Sequence, residues 1–303
     1  MAKFISPPIL SRRFGRSLGI DLSPDEKQCN FDCLYCELRG AKTVEIIQNP
    51  PSVEGVIKEL AEALRKFPDI DVITLTANGE PTLYPHLKEL VGEINKLKGG
   101  KKLLILSNGS RIYDKNVQEA LLGIDIVKLS LDSAVPNTFK KLDRPHKSVN
   151  LEQMIEGMRE FSGVFKNELV LEILVVENFN DTRDDFILLN AIINLVKPAR
   201  VDISTIDRPS AYKVKAVSYD TLEILSREIK NTPTLIAKRE EGGKSASNLS
   251  EEEILRLLKM RPQSERDVQN LLDDESQKRL ERLLEEGKIT KISAANVLFY
   301  KLC

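Results

Sequence analysis

The sequence predicts an α/β fold, and two observations carry that prediction. Six short apolar segments alternate with helical stripes over the first 240 residues, and a polar Gly- and Ser-containing stretch then leads into a different, smaller unit. Strand-then-helix units in series imply a parallel sheet with right-handed crossovers. Periodicity alone leaves two architectures open, a curved partial barrel and an open doubly wound sheet.

The first strand is predicted at residues 17–22. A loop follows, since Pro24, Asp25 and Asn30 disfavour a continuing strand, and Pro50 and Pro51 close it. Ser52 can cap the next helix, in which Val53, Val56, Ile57, Leu60 and Leu64 recur on one face. Further strands are predicted at 72–76, 103–107, 126–131, 169–176 and 201–206. Each is followed by a helical stripe, such as Leu87, Leu90, Val91, Ile94 and Leu97 after the second. Residues 1–240 thus form the main domain and 241–249 a linker. In the remaining stretch, 250–303, Ser250 caps a helix, two more helices cover 264–272 and 276–286, and Gly287 is placed to end the last. Residues 289–302 alternate as a hairpin, so this part reads as a winged helix, a helix-turn-helix variant.

Composition excludes several classes. Forty-five basic residues face 46 acidic ones, so no global field draws the chain to nucleic acid or membrane. No apolar run approaches the roughly 20 residues of a membrane span, and residues 1–8 lack the apolar core of a signal peptide. Four cysteines, three of them clustered, do not make a disulfide framework, and a reducing cytoplasmic location is expected.

The cluster is Cys29, Cys33 and Cys36, spaced C-x3-C-x2-C, while Cys303 ends the chain. Three thiolates can hold a metal centre and leave one coordination position open, as a catalytic site requires. A zinc knuckle would need a fourth ligand from His86, His146 or Cys303, and structural zinc favours paired C-x2-C knuckles. The spacing favours an iron–sulfur centre.

With an aromatic residue, Tyr35, just before the last cysteine, this motif resembles that of the radical SAM superfamily. Ala77-Asn78-Gly79-Glu80-Pro81-Thr82, after the second strand, resembles its GGEP motif, with Asn78 in the first Gly position. The resemblance implies a partial (β/α)6 TIM-like barrel. It also implies that Cys29, Cys33 and Cys36 hold a [4Fe–4S] cluster whose fourth iron takes S-adenosylmethionine. One electron, from a donor such as ferredoxin or flavodoxin, would cleave the sulfonium to a 5′-deoxyadenosyl radical that abstracts hydrogen from substrate. Gly79 would let the backbone approach the bound methionine, and Glu80 would accept hydrogen bonds from its amino group. Asn108 after the third strand, Ser130 and Asp132 at the fourth, and Tyr35 complete the expected cofactor site. Asp132 reads equally as a cap or turn residue.

Within the superfamily the chain resembles the tRNA wyosine-synthase-like and molybdenum-cofactor-synthase-like groups. That resemblance rests on Ser17-Leu18-Gly19-Ile20-Asp21, Ser130-Leu131-Asp132, Leu142-Asp143-Arg144-Pro145-His146 and Ile206-Asp207-Arg208-Pro209. Arg144 and Arg208 are candidates to bind a substrate carboxylate or phosphate, with a structural ion pair as the alternative. Arg12, Arg13 and Arg16 could likewise meet a phosphate, with a solvated basic segment as the default reading. Wyosine synthase uses further cysteines for a second cluster, and only Cys303 is left here, so tricyclic-base formation on tRNA by that route is not expected. The substrate class stays open among RNA, peptide or protein, and small metabolite.

The winged-helix region carries 10 basic and 11 acidic residues from Ser245 onward, which favours protein or peptide docking over DNA binding. The reading opposed to an enzyme is a metal- or cluster-containing regulator acting through that module.

Overall fold

The computed structural model describes residues 3–11, 13–236, 246–294 and 297–303. Arg12 and most of the 241–249 linker lie outside the described residues.

The chain opens with a hairpin of β1 (Ile9–Ser11) and β2 (Gly15–Asp21), and the long cysteine-bearing loop leads to α1 (Val53–Lys66). Then come β3 (Val72–Thr76), α2 (Leu87–Leu97), β4 (Lys102–Ser107), α3 (Lys115–Leu121), β5 (Ile126–Ser130), α4 (Pro136–Leu142) and α5 (Leu151–Val164). The barrel region ends with β6 (Glu168–Val175), α6 (Arg183–Val196), β7 (Arg200–Thr205), α7 (Tyr219–Ser226) and β8 (Thr234–Ile236). The strands lie in sequence order, β1 to β8, with β1 antiparallel to β2 and every later neighbour parallel. A doubly wound sheet reverses its order at a switch point. This sheet never does, so it curls into a partial barrel.

The six predicted units are those begun by β2 to β7. Ser52 caps α1 as expected, its hydroxyl accepting from Gly55 N, and Val56 and Leu60 are fully buried. Three elements escaped the periodicity. β1 and β8 are only three residues long, and α4 buries just Phe139 and Leu142, too few for a stripe.

The lower end of the barrel is closed by side chains. Phe14, from the β1–β2 turn, lies against Val72, Leu104, Ile126 and Val170. Two residues along the same faces stand Lys128 and Glu172, joined at 2.6 Å. Lys128 also reaches Asp202 at 3.3 Å, and Arg13 bridges Asp202 (3.3 Å) and Glu172 (3.2 Å). Arg200 holds the other Asp202 oxygen at 2.9 Å and also binds Glu168.

The C-terminal region contains α8 (Glu251–Met260), β9 (Gln263–Ser264), α9 (Glu265–Leu271), α10 (Asp274–Glu285), β10 (Ile289–Ala294) and β11 (Val297–Leu302). Ser250 with Glu253, and Ser264 with Asp267, form capping boxes. Gly287 follows α10 at φ +69°, a left-handed conformation that stops the helix at no steric cost. β11 pairs with both β10 and β9 in an antiparallel sheet. The apolar face of α8 (Ile254, Leu257, Leu258) shares one core with the barrel. Polar ties reinforce it: Arg256 to Ile5 O at 2.9 Å, Lys259 to Pro24 O at 2.6 Å and Lys66 to Glu253 at 2.6 Å. Among the described residues, no helix is long and apolar enough to cross a membrane.

Candidate active site at the carboxyl ends of the strands

Cys29, Cys33 and Cys36 stand in the loop after β2, which is gripped by the loops after three other strands. Gln28 N donates to Asn78 O (2.8 Å) and Glu80 N to Gln28 O (3.0 Å), beyond β3. Leu34 N donates to Leu142 O (2.9 Å) and His146 N to Asn30 O (2.7 Å), beyond β5. Ala211 N donates to Cys36 O (2.8 Å), beyond β7. Gly79 makes the first contact possible. It sits at φ +147°, and a Cβ there would lie 1.8 Å from the Gln28 carbonyl oxygen. The need for glycine thus comes from the cysteine loop's own backbone, a reason other than the expected approach of a ligand.

Glu80 is almost wholly buried, at 1% exposure, and links two strand ends. Its Oε1 accepts from Thr82 N (2.9 Å), Thr82 Oγ1 (2.6 Å) and Ser107 Oγ (2.7 Å), while Oε2 accepts from Asn108 N (2.7 Å). Burial raises its pKa, and these hydrogen bonds oppose the rise. Asn108 Nδ2 donates to Asn30 Oδ1 at 2.8 Å and lies 3.7 Å from Cys29 Sγ. Ser130, half-buried, ends β5.

Tyr35 and Asp132 are brought together. The Tyr35 hydroxyl donates to Asp132 Oδ2, and Asp132 Oδ1 accepts from Leu174 N at 2.7 Å. Asp143 stands beside both, with Tyr35 3.4 Å from its Oδ1. Burial raises both carboxyl pKa values, and the charge of Asp132 pushes Asp143 up further. Asn180 staples the same region, its side-chain amide donating to Asp132 O (2.8 Å) and Leu174 O (2.9 Å). Asp132 therefore works as a tether between the cysteine loop and β6, through partners 97 and 42 positions away, which is neither the cofactor contact nor the local cap or turn role expected from its sequence context.

The two arginines part company. Arg144, at φ +47°, pairs with Asp32 at 3.3 Å and lies 4.6 Å over the Tyr212 ring, whose hydroxyl also donates to Asp32 (2.6 Å). Arg208 turns to the C-terminal module, holding Asp267 at 2.9 Å and Pro262 O at 2.8 Å. Its partners are those of a structural ion pair, and the phosphate or carboxylate role expected for it finds no support in them. Sequence reasoning missed Lys27, Asp32 and Tyr212. Lys27 is nearly buried and lies 3.4 Å from Asp32; burial opposes its charge, but Cys36, Cys29 and Asp32 raise its pKa. Its side chain also hydrogen-bonds Cys36. Adjacency to the cysteines could have pointed to Lys27 and Asp32, whereas nothing local marks Tyr212.

Burial pushes the Cys29 thiol up to about 12, raises Cys33 further and lifts Cys36. Thiols so placed ionise only when a cation binds them. Among the described residues no three His, Cys, Asp or Glu side chains converge on one ion position. Three thiols on one loop are the donor set of a polynuclear cluster, in which each thiolate meets its own iron.

A family model described as the radical SAM superfamily matches residues 27–189. The chain belongs to the radical SAM superfamily. It is an enzyme of this group, whose members use a [4Fe–4S] cluster and S-adenosylmethionine and need an electron donor. Membership displaces the regulator reading. A UPF0026 protein of Helicobacter pylori is 42% identical, over 97% of this chain and 96% of its own length. A probable GTP 3′,8-cyclase of Pyrococcus abyssi is 27% identical, over 73% of this chain and 71% of its own. A radical SAM methyltransferase from Sphaerobacter thermophilus superposes with a TM-score of 0.56 at 11% identity, over 73% of this chain and 65% of that one. That likeness is one of fold, and it agrees with the partial barrel.

Proposed function

We propose that Cys29, Cys33 and Cys36 hold a [4Fe–4S] cluster and that the enzyme cleaves S-adenosylmethionine reductively to abstract hydrogen from a substrate at the barrel mouth. The observation that carries this reading is the cysteine loop, pinned by three neighbouring strand-end loops and holding three half-buried thiols. When bound, the cluster with S-adenosylmethionine supplies one-electron chemistry at the sulfonium carbon.

The chain's own residues would orient and enclose that chemistry. Asn108 lies against Cys29 and is the residue best placed to contact the cluster's surroundings. Glu80 Oε2, which accepts only from Asn108 N among the described residues, keeps a lone pair for an ammonium group. Ser130 offers a half-buried hydroxyl at the same strand-end level. Gly79, Tyr35 and Asp132 act on the site by fixing the loop. Arg144 keeps a partly exposed guanidinium, 42% of its side chain, and is the retained candidate for substrate contact. The near-neutral C-terminal module serves as a brace for the barrel and a docking element for protein, in preference to a DNA reader.

A relative named for GTP cyclisation makes GTP the first substrate to test, followed by RNA and peptide pools. The test follows deuterium from labelled candidates into 5′-deoxyadenosine under dithionite. Label transfer from one pool supports the proposal and names the class. No 5′-deoxyadenosine from any mixture, or equal yield from Cys33→Ala, defeats it.

A further inference from the structure

Two residues before Cys29, Lys27 turns its ammonium inward, with 7% of the side chain exposed. The backbone beside it is fixed, since Gln28 N donates to Asn78 O (2.8 Å) and the Gln28 side-chain amide to Gln48 O (3.1 Å). Taking an ammonium out of water is costly unless anions meet it. Lys27 meets Asp32 at 3.4 Å and hydrogen-bonds Cys36, and Cys29 and Cys33 also act on its charge. Asp32 alone does not neutralise it. The other Asp32 oxygen takes the Tyr212 hydroxyl (2.6 Å) and Arg144 (3.3 Å), so one carboxylate serves two cations. Acids face the same thiols, Glu80 at Cys29, Asp143 and Asp132 at Cys33, and Glu37 at Cys36. Lys27 is the cation set against them.

We propose that Lys27 is a positioning residue for the reaction, one that holds the cluster's reduction potential up through its fixed charge and its hydrogen bond to Cys36. The proposal rests on the cluster assignment above. Three thiolates leave a four-iron centre negatively charged, and reduction adds one electron to it. Net charge and hydrogen bonds to sulfur set such potentials. A charged N–H donor at Cys36 favours the reduced form, while the surrounding acids oppose it. The electron comes from the reductant that feeds the cluster, and Lys27 keeps its proton throughout. Arg144, with 42% of its side chain exposed, is screened by water and acts less strongly. The competing role is an ion pair that only anchors Asp32, and it predicts no dependence of the potential on the Lys27 charge.

Potentiometric titration of the reconstituted full chain, read by the EPR signal of the reduced cluster, tests this without turnover. K27M should lower the equilibrium constant for reduction about tenfold, a shift of about 59 mV to more negative potential. K27R keeps the charge and the donors and should stay within about threefold of the parent. D32N removes an anion and should raise the constant about threefold or more. The two charge changes thus act with opposite signs, whereas a loosened loop would move both variants the same way. A K27M constant within about threefold of the parent's, or above it, overturns the proposal. So does a K27R shift as large as that of K27M. Where K27M takes up no iron, D32N decides: a rise supports the proposal, and no change or a fall overturns it. A parent without the iron and sulfide of a cluster fails the cluster assignment instead.

Discussion

At the lower end of the barrel, charge is matched to charge. Arg13, Lys128 and Arg200 meet Glu168, Glu172 and Asp202 in one network sealed beneath by Phe14. At the upper end, carboxylates meet backbone amides and hydroxyls: Glu80 takes Thr82, Ser107 and Asn108, and Asp132 takes Leu174 and Tyr35. The lower network pairs opposite charges, although Arg13 Nε and Nη2 and Asp202 Oδ2 make no hydrogen bond among the described residues. The upper one fixes loops and leaves three half-buried thiols whose ionisation the surrounding low-dielectric site opposes. Stability and chemistry are thereby separated along the barrel axis, and substitutions at the two ends should fail in different ways.

The largest stability loss is expected below. Asp202→Ala strands the cations of the network, and breaking a buried ion pair costs about 3–5 kcal/mol. Urea unfolding should show that loss, while the fraction that folds still loads iron normally. Equal loss of iron would end the separation. Next comes Gly79→Ala above. The positive φ and the 1.8 Å approach to Gln28 O force the loop to shift, at about 1–3 kcal/mol of strain. Here iron loading should fall more than the unfolding free energy suggests, and full loading would contradict the role given to Gly79. Glu80→Gln turns one acceptor oxygen into a donor facing Ser107, Thr82 or Asn108. It should cost about 1–3 kcal/mol and weaken S-adenosylmethionine binding, read by calorimetry on the loaded protein. Unaltered affinity would reduce Glu80 to a purely structural hub.

Two smaller effects concern the brace. Arg208→Ala removes the Asp267 tie and should expose the module junction to limited proteolysis, with iron loading retained. The smallest effect is one of pH. Burial works against the Glu253 carboxylate, but Lys66 and the Ser250 amide outweigh it and lower its pKa below the usual 4.5. A lowered folded pKa gives stability that is present above the unfolded value and lost as pH falls through the folded one. Since the pair is partly solvated, its worth is a few tenths of a kcal/mol, roughly that of a surface ion pair. The Tm advantage over Glu253→Gln should shrink on acidification below about pH 4.5. A constant difference would show that the pair contributes nothing.

The legible parts of this protein are the local ones. Apolar alternation marked β2 to β7, and the Ser52, Ser250 and Gly287 signals marked helix ends, because these depend on neighbours a few residues away. The cysteines and the Asn78-Gly79-Glu80-Pro81 turn were legible as residue types at fixed spacing. What escaped depends on partners far along the chain. Tyr212 reaches Asp32 across 180 positions, and Arg208 finds Asp267 across 59. Arg13 reads as a solvated cation in sequence, yet the hairpin turn carries it beneath the barrel. Gly79 was identified, but its reason was not, because the clash that demands glycine comes from a backbone carbonyl fifty-one positions earlier.

The central claim is that the three loop cysteines, and not Cys303, hold a four-iron cluster. Iron and acid-labile sulfide should be measured after anaerobic reconstitution of the full chain and of its four single Cys→Ala variants. The account predicts about four irons and four sulfides per chain for the parent and for Cys303→Ala, with loss in Cys29→Ala, Cys33→Ala and Cys36→Ala. About one zinc per chain without sulfide, or full iron in any of the three loop variants, would contradict it.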